Sequence, residues 1–189
     1  MAQDKIYPDD QFLEEVEKDE SFQTGACFQC RKCTNGCPVT FAMDLFPDEV
    51  IRMVLLGQRE IVLGCQTIWV CSACETCTTR CPNEVKIAEL MDHLKEMAIE
   101  EKVPCPQPAV LALHKTFISN VRKRGRVFES TLLPVYLLRS GLLRSKWKDG
   151  SWQTEAKLGW KLFSKGRMPV LPRKKKGREE IRQILKRSK

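Results

Sequence analysis

Apolar side chains recur at helical spacing along most of the chain. The clearest pattern lies at residues 86–101, where an apolar face is opposed by a charged face on which Lys95 is expected to point outward. A second helix is predicted at 44–57, because Pro47 suits a first turn and Gly57 can end a helix. Further helices are predicted at 109–122, 127–144, 151–165 and 178–188. No segment alternates as a strand does, so the pattern predicts a mostly α fold.

Three segments carry a weaker pattern. Residues 1–21 form an acidic lead-in with one short amphipathic turn around Phe12 and Val16. Residues 60–70 are apolar without a decisive period, so a buried helix and an extended segment both stay open. The MPVLP stretch at 168–172 is predicted to be extended, since proline restricts the residue before it.

Charge divides the 189-residue chain into two parts. Residues 1–104 hold 10 Lys/Arg and 19 Asp/Glu, a net charge of −9, whereas residues 105–189 hold 22 Lys/Arg and 5 Asp/Glu, a net charge of +17. Three prolines between positions 104 and 108 mark the joint. The organisation expected is a lead-in at 1–21, a cysteine-rich domain at 22–104 and a basic helical extension at 105–189 that docks on partners. Ordinary solvated helix faces are the alternative explanation of the basic charge.

The composition also bears on compartment. The most apolar long stretch is about 14 residues, at 130–143, and it contains Pro134 and Arg139, whereas a bilayer-spanning helix needs about 20 apolar residues. The first 20 residues are acidic and have no apolar run, so no secretory signal is predicted. We therefore expect a cytoplasmic protein without a membrane span. Thiols stay reduced there, and dense cysteines bind metal more often than they form disulfides.

The ten cysteines contain an internal repeat. The pattern C-x2-C-x2-C-x3-C-P occurs at 27–38 and again at 71–82, an offset of 44 residues. This is the spacing of two-cluster ferredoxins, in which three cysteines of one loop bind one cluster and the fourth reaches the other cluster. The predicted ligand sets of two 4Fe–4S clusters are therefore crossed. They are Cys27, Cys30, Cys33 and Cys81 for the first cluster, and Cys71, Cys74, Cys77 and Cys37 for the second cluster.

Two structural zinc sites are the main alternative. Zinc favours pairs of C-x2-C separated by a spacer, with four ligands in a tetrahedron, and a triple C-x2-C-x2-C does not suit that geometry. A disulfide framework is disfavoured by the expected compartment. Two motifs, each closed by a proline, favour iron–sulfur clusters over both alternatives.

Several residues near the motifs have two alternative interpretations of their role. Arg31, Lys32 and Arg80 lie inside the cysteine loops, where positive charge would favour a reduced cluster, although simple solvation explains them equally well. Trp69 is expected either to cover a cluster or to pack in the core without a redox role.

Cysteines and histidines outside the motifs are given ordinary roles. Cys65 and Cys105 are interpreted as buried or half-buried thiols, with an indirect role near a cluster left open for Cys65. His93 and His114 are interpreted as ordinary surface or core histidines, since neither has a ligand partner nearby in the sequence.

The chain lacks the common catalytic signatures. It contains no G-x-G, no phosphate-binding P-loop, no H-E-x-x-H and no G-x-S-x-G. It also has no adjacent cysteine pair, so the CCG motif of related reductases is missing. We expect a carrier of electrons without a catalytic residue or a substrate site of its own.

Three segments resemble the C-type iron–sulfur subunit of heterodisulfide reductase: TIWVCSACETCTTRCP at 67–82, PDEVIRMVLLG at 47–57 and KGRMPVLPRKKKG at 165–177. The resemblance extends over about 22–185 and implies an α-helical ferredoxin fold, as in the iron–sulfur subunits of succinate dehydrogenase and fumarate reductase. It implies that the two clusters relay electrons between a flavin-containing A-type subunit and a catalytic B-type subunit with CCG motifs. Relatives of that B-type subunit reduce the disulfide of coenzyme M and coenzyme B, or convert other disulfides or sulfur compounds.

Two other functions compete with this relay role. A free dicluster ferredoxin serving several enzymes is usually shorter and acidic, which the +17 extension contradicts. A nucleic-acid-binding protein would use 173–189 as a phosphate-binding arm, but that segment lacks interleaved aromatic residues and any recognised module. We therefore expect a non-catalytic subunit of an oxidoreductase complex.

Overall fold

The computed structural model describes residue 8 and residues 10–18, 22–167 and 178–187. Over these ranges all regular secondary structure is helical, which confirms the mostly α prediction. The chain divides into two compact units, Met1–Gln107 and Pro108–Lys189. The roles expected for the lead-in, the cysteine-rich domain and the extension stay predictions.

The first unit contains seven α-helices in its described residues. They are α1 (Asp10–Glu17), α2 (Lys32–Gly36), α3 (Pro47–Leu55), α4 (Arg59–Gly64), α5 (Thr67–Val70), α6 (Thr76–Arg80) and α7 (Ile87–Glu100). Two short 3-10 helices, Thr24–Ala26 and Thr40–Ala42, precede and follow the first cysteine motif. The ambiguous segment at 60–70 thus forms parts of two short helices, α4 and α5, joined at Cys65.

The core of the first unit is built around α7. Its apolar face is fully buried at Leu90 and Leu94, and α4, α5 and α6 pack against the helix. The face of α3 that carries Val50 and Val54 is buried too, as periodicity predicted. Helix α1 buries Phe12 and packs on α3, so the short turn expected in the lead-in is a helix of two turns that belongs to this core.

The second unit contains five α-helices in its described residues. They are α8 (Pro108–Arg124), α9 (Glu129–Ser140), α10 (Leu142–Lys148), α11 (Trp152–Ser164) and α12 (Arg178–Arg187). The single helix predicted at 127–144 is wrong, because the chain breaks between α9 and α10 at Gly141. That residue has a φ of 72°, a left-handed conformation that glycine adopts without steric cost. The MPVLP segment lies outside the described residues.

Helices α8 and α9 form the best-packed pair of this unit. The buried Asn120 joins them, since its Oδ1 accepts the Phe128 amide at 3.0 Å and its Nδ2 donates to the Thr131 hydroxyl at 3.1 Å. None of the described helices has both the length and the apolar character that crossing a bilayer requires.

Candidate metal centres

The two cysteine motifs adopt the same backbone path. Gln29 and Arg31 in the first motif have φ values of 54° and 61°, and their counterparts 44 residues later, Ala73 and Glu75, have values of 50° and 59°. Left-handed conformations are costly for residues with a side chain, by about 1–2 kcal/mol each. They recur here because they turn the chain tightly between successive cysteines, so the sequence repeat is also a structural repeat.

Each motif ends in a one-turn helix that anchors a longer helix. In α2 the Thr34 hydroxyl accepts the Asp48 amide of α3 at 3.3 Å, and in α6 the Thr78 hydroxyl accepts the Ala88 amide of α7 at 3.1 Å. Asp48 and Ala88 are the second residues of their helices, where backbone N–H groups lack a partner within the helix. The coincidence of the two threonines in the sequence repeat thus reflects a shared capping contact.

Two cavities lie between the motifs. The first cavity, of about 330 Å³, is lined by Cys27, Cys30, Cys33 and Cys81. The second cavity, of about 370 Å³, is lined by Cys37, Cys71, Cys74 and Cys77. Each cavity therefore combines three cysteines of one motif with the last cysteine of the other motif. These are the two sets of cysteines that the motif spacing predicted. That these cysteines bind the clusters stays a prediction.

The two cavities share a wall. Ile87, the buried first residue of α7, lines both of them. Helices α2 and α6 also pack closely. A Cβ atom on Gly36 of α2 would lie only 2.8 Å from Nη1 of Arg80 in α6. Groups held in the two cavities would thus be separated by little more than one aliphatic side chain.

Burial controls the chemistry of three motif thiols. It raises the pKa of Cys33 and Cys71, and it raises the pKa of Cys77 to about 11. Each thiol must lose its proton to bind a metal, so metal binding here releases protons and neutralises groups that burial disfavours as bare anions.

Hydrogen bonds to sulfur distinguish the more exposed cysteines. The Gln29 backbone amide and its side-chain Nε2 both donate to the Cys27 sulfur at 3.4 Å. The Cys74 sulfur lies 3.4 Å from the Thr76 hydroxyl, and this contact lowers the pKa of Cys74. Such donors stabilise a thiolate, because hydrogen bonds to the charged form favour it.

A carboxylate anchors the second motif from outside. Oδ1 of Asp44 accepts the Thr67 amide at 2.9 Å and the Thr67 hydroxyl at 2.8 Å, while Oδ2 accepts the Gln66 amide at 2.7 Å. Burial alone would raise the pKa of Asp44, but these hydrogen bonds together lower it. Asp44 thus caps α5, the helix that ends at Cys71.

Two charged side chains beside the cavities are buried. Asp48 lines the first cavity, and its charge adds to burial in raising the pKa of Cys33. Lys95 lies beside the second motif, where its charge opposes the effect of burial on the pKa of Cys71. The expectation that Lys95 points outward from α7 is therefore wrong. Lys95 lies four residues after Met91 and seven after Ala88, so it shares their face of α7, and both of those residues line the second cavity. This helical spacing could have predicted that Lys95 faces inward.

The remaining residues singled out near the motifs have simpler surroundings. Trp69 is buried but is not among the residues that line either cavity, which favours core packing. Cys65 is buried at the end of α4, and Cys105 is half-buried. The half-buried His93 packs on Phe22, with the two ring centres 5.1 Å apart and the rings tilted by 34°. Lys32 and Arg80 are exposed.

The donor sets fit iron–sulfur clusters better than single metal ions. Among the described residues, no three or more His, Cys, Asp or Glu side chains are grouped to hold one metal ion. A zinc ion needs its sulfur ligands at about 2.3 Å from one point. A 4Fe–4S cluster takes one thiolate at each of four irons, which suits four cysteines around a cavity.

Comparison with known proteins agrees with this geometry. Residues 23–85 match a family described as a 4Fe–4S dicluster domain. This span contains both cysteine motifs.

The curated relatives are C-type iron–sulfur subunits. The second such subunit of the CoB–CoM heterodisulfide reductase of Methanocaldococcus jannaschii is 41% identical over 76 residues, 40% of each chain. The C-type subunit of the enzyme of Methanopyrus kandleri is 30% identical over 109 residues, 53% of this chain and 56% of the relative. That of the H2:CoB–CoM heterodisulfide,ferredoxin reductase of Methanothermobacter marburgensis is 28% identical over 117 residues, 62% and 60% of the two chains.

Over part of its length the chain is thus similar to C-type iron–sulfur subunits of heterodisulfide reductases, and it contains a 4Fe–4S dicluster domain. Its dicluster domain carries two 4Fe–4S clusters. The predicted cofactors are thus confirmed, and the zinc alternative is set aside. The chain spans about 40 to 60% of the length of these relatives.

Proposed function

We propose that this chain is the electron-relay subunit of a heterodisulfide-reductase-type complex in the cytoplasm. It passes single electrons between a flavin-containing A-type subunit and a CCG-motif B-type subunit that converts a disulfide or another sulfur compound. The chain itself holds no substrate. The names of the relatives support the type of complex, since each relative is the C-type subunit of a heterodisulfide reductase.

The observation that carries this proposal is the pair of adjoining cavities lined by the eight motif cysteines. A bound 4Fe–4S cluster supplies one-electron chemistry without bond making in a substrate. The protein's part is to hold two such groups apart from bulk water and close to each other. Ile87, which both cavities share, keeps the spacing short and apolar.

We further propose that the ligands are crossed between the motifs. Cys27, Cys30, Cys33 and Cys81 bind the first cluster, and Cys71, Cys74, Cys77 and Cys37 bind the second cluster. The lining of the two cavities supports this assignment, because each contains these four cysteines.

Replacing Cys37 tests the crossing. Cys37→Ala is expected to damage the cluster of Cys71, Cys74 and Cys77, although Cys37 belongs to the other motif. Iron content and electron paramagnetic resonance of the anaerobically purified chain provide the measurement. Cys65→Ala is the matched control, since Cys65 is a buried thiol that lines neither cavity, and it should keep both clusters. Damage by Cys37→Ala to the cluster of Cys27, Cys30 and Cys33 would contradict the crossed assignment.

The relay role is tested by the partners that the chain keeps. A tagged chain purified without oxygen from its native cells is expected to bring with it a flavoprotein and a protein with CCG motifs. The complex should reduce a disulfide with a low-potential donor, and the chain alone should not. The basic second unit is proposed as the docking region, so removal of 108–189 should release at least one partner. Disulfide reduction by the isolated chain would contradict a pure relay.

A further inference from the structure

The first unit buries two charges of opposite sign among its described residues. Asp48 is 6% exposed and Lys95 is 7% exposed. Burying a charge costs free energy unless it is compensated, so both positions require an explanation beyond solvation. Asp48 lines the first cavity, and Lys95 contacts the backbone of Cys71, which lines the second cavity.

Asp48 is an anion at the first cavity. It lines that cavity, and its carboxylate accepts the Thr34 hydroxyl and pairs with Arg31 at 3.3 Å. The Arg31 side chain is 58% exposed, so water and salt weaken its charge more than that of the buried carboxylate. Lys32 also lines this cavity and is exposed too, so the buried carboxylate is the least screened of these three charges.

Lys95 is a cation at the second cavity. Its ammonium group donates to the carbonyl oxygen of Cys71 at 3.4 Å and pairs with Asp92 at 2.7 Å. The Asp92 side chain is 55% exposed, so here the counter-charge lies on the solvent side. The buried ammonium is therefore screened less by water than the Asp92 carboxylate is.

We propose that these two buried charges make the two redox sites unequal. Asp48 lowers the reduction potential of the first cluster and Lys95 raises that of the second cluster. An electron on the chain therefore resides mainly on the cluster held between Cys37 and the second motif. This inference rests on the proposed function, and it gives the relay a downhill direction from the first motif to the second motif.

The sign follows from the charge change on reduction. A cluster becomes more negative by one charge when it accepts an electron, so a nearby anion disfavours reduction and a nearby cation favours it. Exposed charges of opposite sense, Arg31 and Lys32 at the rim of the first cavity and Glu75 in the second loop, are screened by water and contribute less.

Redox titration of the loaded chain tests this inference. Potentials are measured without oxygen by electron paramagnetic resonance, and Cys30→Ser and Cys74→Ser assign each signal to its motif. Lys95→Met is expected to lower the second potential, and Asp48→Asn to raise the first. Each change is expected on the order of tenfold in the ratio of reduced to oxidised cluster, about 59 mV for one electron.

The controls are a half-buried lysine and an exposed glutamate. Lys86→Met, just before α7, and Glu75→Gln, in the second loop, should move either potential by less than a third of those shifts. Equal potentials in the unsubstituted chain, or shifts no larger than those of the controls, would overturn the inference. Lys95→Gln replaces Lys95→Met where the latter fails to load iron. The titration needs no partner, so its failure is distinct from a failure to recover the complex.

A separate observation lies in the second unit. An open cleft between α8 and α9 is lined by Lys123, Arg124 and Arg139, and none of its described lining residues is acidic. None of the ion pairs among the described residues involves these three cations. Three like charges around one cleft repel each other, so an anion between them would stabilise the unit.

The walls of this cleft are polar and ordered. Arg139 donates to the hydroxyl of Thr116, a buried residue, at 3.4 Å, and the Arg124 guanidinium lies 4.9 Å from the centre of the Phe128 ring. Asn120 is held by Phe128 and Thr131, as described above. Guanidinium groups held in this way present planar donors that match a phosphate group.

We infer that this cleft binds a phosphate group, either of a small phosphate ester or of a lipid headgroup. Calorimetry of the full chain with inorganic phosphate is expected to show one saturable site at low ionic strength. Arg139→Gln with Lys123→Gln should weaken it at least tenfold. Arg122→Gln with Arg126→Gln, which removes two exposed arginines outside the cleft, should change it less than twofold.

Two further probes distinguish the sources of the phosphate. Stronger binding of glycerol 3-phosphate than of inorganic phosphate favours a small ester, whereas retention on phosphatidic acid vesicles that the cleft variant loses favours a headgroup. Absence of saturable phosphate binding, or an equal loss in the control variant, would overturn the inference.

Discussion

At the scale of single residues, the site depends on side chains that the cysteine spacing does not reveal. Spacing alone predicted the two sets of four cysteines that line the cavities, because each motif keeps its members within one loop. It did not predict the burial of Asp48 or Lys95. A charged residue on an amphipathic helix is normally assigned to the solvent face, and its burial depends on tertiary contacts that a single-sequence pattern does not contain.

Asp44 gives a prediction at this scale. Asp44→Asn is expected to lower the stability of the apo chain by about 1 kcal/mol, since it weakens the cap of α5. Urea unfolding provides the measurement, with Glu96→Gln on the exposed face of α7 as the control. Because the pKa of Asp44 is lowered from 3.8, its contribution is present above that pH and is lost as the pH falls through the lowered value. A difference that persists unchanged in strong acid would contradict the capping role.

Cys77 gives a second prediction, with the opposite sign. Burial raises its pKa from 9.0 to about 11, so the folded apo chain binds this proton more tightly than the unfolded chain. The corresponding stability is complete below about pH 9 and is lost as the pH rises to about 11. The thermal unfolding temperature of the apo chain should fall more steeply over that pH interval than the unfolding temperature of Cys77→Ala. If the unfolding temperatures of the two chains change equally with pH, Cys77 is not buried in the apo chain.

At the scale of elements, the fold repeats one design. Each motif contains two residues in the left-handed conformation and a one-turn helix, and a threonine of that helix caps a longer helix. Helical periodicity predicted α3 and α7 within a few residues, since each carries a continuous apolar face. It did not predict α2 and α6, because helices of one turn have no period to detect, nor the break at Gly141, because glycine also occurs inside helices.

The capping threonines test this design. Thr34→Val and Thr78→Val should each cost about 1 kcal/mol in the free energy of unfolding, because the amides of Asp48 and Ala88 lose their acceptor. Thr79→Val is the matched control, since the exposed Thr79 hydroxyl bonds only to the Glu75 carbonyl one turn earlier. Chemical denaturation provides the measurement. An equal loss in the free energy of unfolding for Thr79→Val and Thr78→Val would contradict the capping role of Thr78.

At the scale of the whole molecule, the proposed clusters tie distant parts of the chain together. In the crossed sets, Cys81 lies 48 to 54 residues after the other three cysteines of its set, and Cys37 lies 34 to 40 residues before those of its own set. Closing such loops removes conformational entropy from the unfolded chain. Electron transfer by the acidic first part and docking by the basic second part stay proposals, which the removal of 108–189 tests.

The central claim is that one chain carries two 4Fe–4S clusters close enough to interact. Iron and acid-labile sulfide analysis of the anaerobically purified chain, combined with electron paramagnetic resonance of the reduced protein, measures it most directly. The account predicts about eight iron and about eight sulfide per chain, with spectral splitting from two neighbouring reduced clusters. A fully reconstituted chain that binds zinc without iron, or a single isolated cluster, would contradict it.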